Sequence, residues 1–152
     1  NTVNTYGNIS QNQLEKMIDK NMIQNVPDLD SLTSTAEWNN NEFNLNDRAM
    51  AYLDMNCAHC HNYQGPASTS GLFLDYHERD KKKLGIYKSP IAAGRGSGGH
   101  LFNIVPGKPD ESIFIFRMES IDPGILMPES GRQLVHEEGV QLIREWIKSL
   151  KN

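Results

Sequence analysis

Long apolar runs and cysteines are what this sequence of 152 residues has least of. It contains no run of about 18 apolar residues, which excludes an ordinary membrane-spanning helix. Hydrophobic residues make up 38% of the chain and aromatic residues 8%, while 12 glycines and 7 prolines interrupt regular structure. The length predicts one domain. The sequence therefore contains few apolar side chains for the core of such a domain.

A surplus of positive charge is also missing. The net charge is −4 at pH 7, so a general nucleic-acid partner is not expected. A secretory signal is not visible either, because the chain starts at Asn1 in a polar stretch. Such a start is typical of a processed mature protein or of an excised domain.

The two cysteines, Cys57 and Cys60, lie in one motif and are followed directly by His61. The pattern C-x-x-C-H is the spacing at which haem is attached covalently through two thioethers. In this interpretation each thiol adds to one vinyl group of the porphyrin, and His61 supplies the proximal imidazole ligand of the iron. The sequence therefore predicts one haem c per chain, whose apolar faces would add to the sparse core.

Three other interpretations of this motif fit less well. A thioredoxin-like redox pair needs a βαβ setting, whereas the residues before Cys57 look helical. A structural zinc site needs four ligands, so with one cysteine pair it would also need two of the histidines His77, His100 and His136. A disulfide would close a very short loop and would leave His61 unexplained. His59, inside the motif, is interpreted as a spacer on the solvent side.

The sixth position of the iron is assigned to Met127. Met127-Pro128 lies in a loop bounded by proline and glycine, and a stiff extended loop suits a weak thioether ligand. Met118 is the alternative thioether, but it falls on a predicted helix, where methionine commonly packs. His100 and His136 are the nitrogen alternatives.

Two further segments are expected to contact the haem. A carbonyl next to Pro66 is a candidate acceptor for the second ring nitrogen of His61, and an ordinary turn is the other interpretation of that stretch. The glycine-rich loop Gly94–Gly99 is expected to wrap the haem edge, where Arg95 or His100 would reach a haem carboxylate.

Two helices are predicted before and at the motif. A capping box at Ser10 starts a short amphipathic helix that ends before Pro27. Asn46 is a suitable N-cap for a second helix, which runs towards Cys57.

Two more helices are predicted in the second half. The third begins at Pro109, a favoured first helical residue, and ends at Met118. The fourth spans residues 135–150, and its apolar face is formed by Val140, Ile143, Trp146, Ile147 and Leu150.

This order of elements resembles the class I c-type cytochromes. Three segments are also similar to a bacterial haem-domain family: Asn46–Asn62 (NDRAMAYLDMNCAHCHN), Val105–Met118 (VPGKPDESIFIFRM) and Met127–Ile147. That family often forms the C-terminal part of larger secreted proteins, some with a quinoprotein-dehydrogenase-like or sugar-dehydrogenase-like domain upstream. The similarity spans most of residues 10–150 and departs from the family at His136 and in the glycine-rich loop.

The resemblance implies a mainly α fold, with orthogonal helices of the cytochrome c type around one covalently attached haem, and with long loops. Residues 1–44 would be an N-terminal helical extension packed on a cytochrome c domain over residues 45–152. The terminal helices of that domain would cross near Ala49 or Tyr52 and near Trp146, and both aromatic residues would border the haem.

The implied function is electron transfer and not catalysis. The chain would be a mono-haem cytochrome that passes single electrons between redox partners, or the relay domain of a larger dehydrogenase fused to it. A haem enzyme of the peroxidase type and a haem-based ligand sensor are the alternatives, and both need a displaceable sixth ligand. Because thioethers are attached outside the cytoplasm, a periplasmic or extracellular protein is expected, with a signal or a lipid anchor encoded upstream.

Overall fold

The computed structural model describes residues 3–32 and 34–151. Contacts between Cα atoms divide the chain into two compact units, Asn1–Thr35 and Ala36–Asn152. A compact unit is not the same thing as a segment that folds alone, so the predicted division into residues 1–44 and 45–152 stays a prediction.

The first unit contains a β-hairpin followed by a short helix. Strands β1 (Val3–Tyr6) and β2 (Ile9–Asn12) pair antiparallel, with Tyr6 opposite Ile9. Gly7, in the two-residue turn between them, has φ of +66°, a conformation that glycine adopts at little cost. Helix α1 (Gln13–Asp19) begins after Asn12, whose side chain accepts hydrogen bonds from the next turn. The predicted cap, Ser10, lies in β2 instead.

The second unit is organised around two helices that pack on each other. Helix α2 (Leu45–Leu53) continues into a π-helical turn, Asp54–Ala58, and helix α4 (Glu137–Ser149) packs against α2. Helix α3 (Ile113–Glu119) packs against α4 and follows a 3-10 turn at Pro109–Glu111. Most of the segment between α2 and α3 is irregular.

The packing of α2 on α4 forms the centre of the core. The side chains of Leu53, Ile143 and Ile147 are completely buried, and Trp146 is 1% exposed. Asn44 caps α2, since its side-chain oxygen accepts from the Asp47 amide at 2.9 Å. The predicted cap, Asn46, instead accepts the indole N–H of Trp146 at 3.1 Å and so joins the two helices.

The prediction of a mainly α fold of the cytochrome c type is wrong. Helix accounts for 36% of the chain, and the described residues form four α-helices and a two-stranded antiparallel sheet, which is a mixed α/β composition. The predicted helical extension is a hairpin followed by a seven-residue helix. The strands were missed because Val3 and Ile9 are both exposed, so no buried face marks them. No helix among the described residues has the length and apolar character needed to cross a membrane.

Candidate functional site

A cavity of about 570 Å³ lies in the second unit, within the size range common for ligand pockets in proteins. It is lined by residues of α2, the π-turn, the loop after it, α3, the loop 126–132 and the start of α4. Much of its wall is aliphatic, with Leu53, Leu72, Leu74, Ile113 and Val140. It also brings together side chains distant in sequence: Cys57, Cys60, His61 and Met127.

The C-x-x-C-H motif is presented to the cavity by the end of α2. The amides of Cys60 and His61 both donate to the carbonyl of Cys57, at 3.1 and 2.9 Å, which holds the motif in one tight turn. The chain then folds back, and the amide of Ala67 donates to the carbonyl of Cys60 at 3.1 Å. A Cβ atom at Gly65 would overlap that carbonyl, so only glycine permits this close return of the backbone.

The two cysteines are free thiols. Burial raises the pKa of the Cys57 thiol to about 12, and the neighbouring Cys60 acts in the same direction. Redox-active C-x-x-C pairs work through a cysteine of lowered pKa, so this setting opposes a thioredoxin-like role. Among the described residues, no three histidine, cysteine or acidic side chains are grouped to hold a metal ion, so zinc would lack its other ligands.

The ring of His61 is oriented by Ser70. The Ser70 hydroxyl lies 2.7 Å from the carbonyl of Ala67, to which it donates, and accepts from the Leu72 amide at 3.2 Å. Since its single proton is used, the contact with His61 Nδ1 at 3.2 Å requires the ring nitrogen to be the donor. The proton is thereby kept on Nδ1, and Nε2 retains the lone pair that a metal would bind. A carbonyl beside Pro66 was the candidate acceptor, with an ordinary turn as the alternative; in the structure Ser70 has this role.

The charge state of His61 also suits a metal ligand. Burial lowers the pKa of the His61 imidazole, and electrostatic interactions with Arg117 and with the neighbouring His59 lower it further. A lowered pKa favours the neutral ring at physiological pH, and the neutral ring is the form that ligates iron.

The loop that contains Met127 is fastened to the end of α3. The Met127 amide donates to the carbonyl of Arg117 at 3.1 Å, and Arg117 Nε donates back to the carbonyl of Ile125 at 2.8 Å. The guanidinium group of Arg132 bonds the carbonyls of Met118, Arg117 and Ser120. These bonds give the loop the stiffness that a weak thioether ligand needs.

The other predicted haem contacts divide into two groups. Pro66 and Tyr52 line the cavity, as do the alternative ligands Met118 and His136. Trp146, Arg95 and the alternative ligand His100 are not among the residues that line it. Trp146 is a core residue, and Arg95 is an exposed residue paired with Asp122 at 2.9 Å.

Three residues of the site were not found from the sequence: Ser70, Arg117 and Arg132. Ser70 lies in a stretch rich in serine and threonine that carries no recognisable pattern. The two arginines are fifteen positions apart and meet only because the loop after α3 returns along its end. The general signal for these residues is a largely apolar cavity bordered by arginine, and that signal exists only in three dimensions.

The residues present fit a haem c group. Two thiols, an imidazole with a free Nε2 and a thioether border one largely apolar cavity, which is the donor set that covalent attachment and His/Met ligation require. Tyr52, His136, Arg117 and Arg132 place polar groups on other parts of the wall. Comparison with protein-family models, with curated proteins and with solved structures finds no match for this chain.

Proposed function

We propose that this chain is a mono-haem c-type protein that transfers single electrons. The observation that carries the proposal is the convergence of Cys57, Cys60, His61 and Met127 on one cavity, although Met127 lies far from the motif in sequence. When bound, the haem iron would supply the one-electron chemistry.

The residues of the chain have distinct tasks in this proposal. Cys57 and Cys60 would hold the porphyrin through two thioethers, and His61 and Met127 would bind the iron. Ser70 keeps the His61 proton on Nδ1. The aliphatic part of the wall would limit the access of solvent to the iron.

The histidine side chains of the cavity favour electron transfer over catalysis. A peroxidase needs an acid–base pair next to an open iron position, and a sensor needs a displaceable ligand. Besides His61 and His59, the imidazole of His136 also borders the cavity. Its Nδ1 forms a hydrogen bond with the hydroxyl of Tyr52 at 3.0 Å. We therefore propose redox proteins, or a dehydrogenase domain fused upstream, as partners, and export to the periplasm or the cell exterior as the setting.

Covalent attachment is the first test. The chain is produced in an exported form in cells that mature c-type cytochromes, then unfolded and extracted with acidified organic solvent. We expect the pigment to stay with the protein. The double variant Cys57→Ser/Cys60→Ser should lose it, whereas His59→Ala, a change inside the motif that removes neither a thiol nor an iron ligand, should retain it. Pigment that is extracted from the wild-type chain, or no pigment at all, would overturn the proposal.

Carbon monoxide separates electron transfer from the alternatives. With Met127 on the iron, the reduced wild-type protein should bind the gas weakly, and Met127→Ala should bind it readily and lose the near-infrared sulfur-to-iron band of the oxidised form. Met118→Leu is the matched control, since Met118 is the other thioether on the cavity wall. Rapid, tight binding by the wild-type protein would favour the enzyme or sensor instead.

A further inference from the structure

Residues 79–88 of the second unit hold a surplus of positive charge, and we call them the basic segment. The basic segment contains one carboxylate, that of Asp80, and five cations: Arg79, Lys81, Lys82, Lys83 and Lys88. The amide of Ile86 donates to the carbonyl of Lys81 at 2.8 Å, which folds the segment into a tight turn. These charges are therefore concentrated on a chain whose net charge is −4.

The five cations of the basic segment have no carboxylate partner among the described residues. No carboxylate oxygen there lies within 4.0 Å of their side-chain nitrogens. The adjacent acidic side chains bond backbone amides instead: Glu78 accepts from the amide of Arg79 at 2.8 Å, and Asp80 accepts from that of Lys82 at 2.8 Å. Like charges held close together repel each other, so a negatively charged partner would be attracted to this surface.

An exposed aromatic ring adjoins the basic segment. Tyr63 is 60% exposed, and its ring stacks on that of Phe73 with centroids 4.0 Å apart. Its hydroxyl accepts from Lys83 Nζ at 2.7 Å and donates to Glu78 at 3.1 Å. A ring that is already held in place loses little freedom on binding, and tyrosine is common in protein–protein interfaces.

The basic segment lies on the His61 side of the cavity wall. The amide of Phe73 donates to the carbonyl of Lys83 at 3.0 Å, and the amide of the next residue, Leu74, donates to the carbonyl of His61 at 2.9 Å. Leu72 and Leu74 line the cavity. This short stretch of chain thus lies between Lys83 and the cavity, and it contacts His61 as well.

We propose that the basic segment and Tyr63 form the docking surface for an acidic redox protein, which approaches the cavity from the His61 side. This inference rests on the proposed function, which requires a protein that exchanges electrons with this chain. Carboxylates of the partner would pair with the free cations, and the Tyr63 ring would supply an apolar contact. Attraction between exposed charges speeds encounter more than it tightens the complex, which suits a partner that must bind and leave at every transfer.

The charge of the rest of the chain favours a compact acidic protein over other anionic partners. Outside the basic segment, carboxylates outnumber cations. An extended polyanion, such as an anionic membrane or a nucleic acid, would repel those parts of the chain. A second copy of the chain would bind through two unlike surfaces, and such contacts continue into open filaments unless they close into a ring.

Ferricyanide, a small anionic oxidant, tests where electrons leave the haem protein. The reduced haem protein gives one electron to ferricyanide, which becomes ferrocyanide. The net charge of −4 predicts repulsion, and so a rate that rises as salt is added. We expect the rate to fall with salt, as it does for attraction to a positive surface. A rate that rises would overturn the inference.

Charge reversal assigns the effect to the basic segment. Lys81→Glu/Lys83→Glu should slow the reaction with ferricyanide at low salt by at least about threefold. Lys81→Glu alone, at an exposed position, should slow it less and in the same direction, even if the double variant does not fold. Lys148→Glu/Lys151→Glu, which reverses the same charge at two exposed positions elsewhere, is the control. Equal slowing by both double variants would overturn the inference.

A peptide of ten glutamates tests binding without electron transfer. In NMR spectra of the reduced haem protein, we expect the peptide to shift the amide resonances of Tyr63 and residues 79–88, and salt of about 200 mM to abolish the shifts. Shifts confined to other residues, or no shifts, would overturn the docking surface. Vesicles that contain phosphatidylserine and bind the wild-type protein but not Lys81→Glu/Lys83→Glu would identify a membrane as the partner instead. Oligomers that the same substitutions abolish would identify a second copy.

The two proposals fail in different ways. Covalently bound pigment together with an unchanged ferricyanide rate in Lys81→Glu/Lys83→Glu would overturn the docking surface and leave the proposed function in place. A wild-type chain without covalent pigment would overturn the proposed function itself.

Discussion

Ser70 is a small side chain on which the chemistry of His61 depends. One hydroxyl meets three groups: the carbonyl of Ala67, the amide of Leu72 and Nδ1 of His61. Because the first of these contacts uses the hydroxyl proton, the other two must be accepted bonds. A single serine thus determines the tautomer of the histidine and the direction of its free lone pair.

Replacing Ser70 with alanine should therefore change both the reduction potential of the iron and the stability of the fold. The His61 ring would lose its acceptor and become a weaker electron donor, so we expect the reduction potential of the haem protein to rise. The Leu72 amide would lose its bond as well, at a cost of about 1–3 kcal/mol in the free energy of unfolding. Potentiometric titration and chemical denaturation measure the two effects.

Thr69→Ala is the matched control for this prediction. Thr69 lies in the same 3-10 turn as Ser70 but is exposed. Its removal should leave the potential unchanged and alter stability by less than about 0.5 kcal/mol. Equal potentials for Ser70→Ala and the wild-type protein would show that Ser70 does not orient the ligand.

At the scale of the secondary structure, the crossing of α2 and α4 depends on a glycine. A Cβ atom at Gly139 would overlap the ring of Tyr52. That ring cannot easily move aside, because it is 5% exposed and contacts the rings of both Trp38 and His136, with centroids 5.8 and 5.6 Å away. Glycine in a helix is normally unfavourable, and here it permits the close approach that places Tyr52 on the cavity wall.

Gly139→Ala should accordingly destabilise the protein, although alanine is the better helix former. Helix propensity alone would stabilise α4 by up to about 1 kcal/mol. We expect the overlap with Tyr52 to reverse the sign and give a net loss of about 1–3 kcal/mol. Chemical denaturation measures the difference, and Gln141→Ala, an exposed position on the same helix, is the control. A stabilised Gly139→Ala protein would contradict the close packing of α2 and α4.

The sequence could predict the elements that are strongly patterned. Helix α2 runs towards the motif as expected and reaches it through the π-helical turn, and α4, observed at Glu137–Ser149, was placed to within two residues at each end. The cap of α2 was misplaced from Asn44 to Asn46, because both are asparagines and only the fold shows that Asn46 bonds Trp146. The hairpin was missed because strand pairing at the surface leaves no periodic signal. The contact of Arg132 with the carbonyl of Arg117 could not be predicted, since it forms only through the return of a loop.

At the scale of the whole molecule, the residues just before α2 belong with the cavity unit. Arg48 Nε donates to the carbonyl of Trp38 at 2.9 Å, and the Trp38 ring contacts His136 edge-on with centroids 5.0 Å apart. The amide of Ala36 donates to the hydroxyl of Tyr76 at 3.4 Å. These contacts place residues 36–44 inside the second unit, on the other side of the predicted boundary.

Two truncated chains distinguish the boundaries. Residues 36–152 should unfold cooperatively, whereas residues 45–152 should be less stable by about 2–4 kcal/mol, because the contacts of a large aromatic side chain and a hydrogen bond to a cation are lost. Denaturant titrations followed by circular dichroism give both values. Equal midpoints for the two chains would support the boundary after residue 44.

The raised pKa of the Cys57 thiol bears on whether the haem is attached before or after the chain folds. A thiol reacts as its anion, and at about pH 7 a group with a pKa of about 12 is almost never in that form. If the cysteines are the attachment points, Cys57 would react more readily before the chain folds around it. We then expect attachment of the haem to precede folding, and a chain that folds first to gain its haem more slowly.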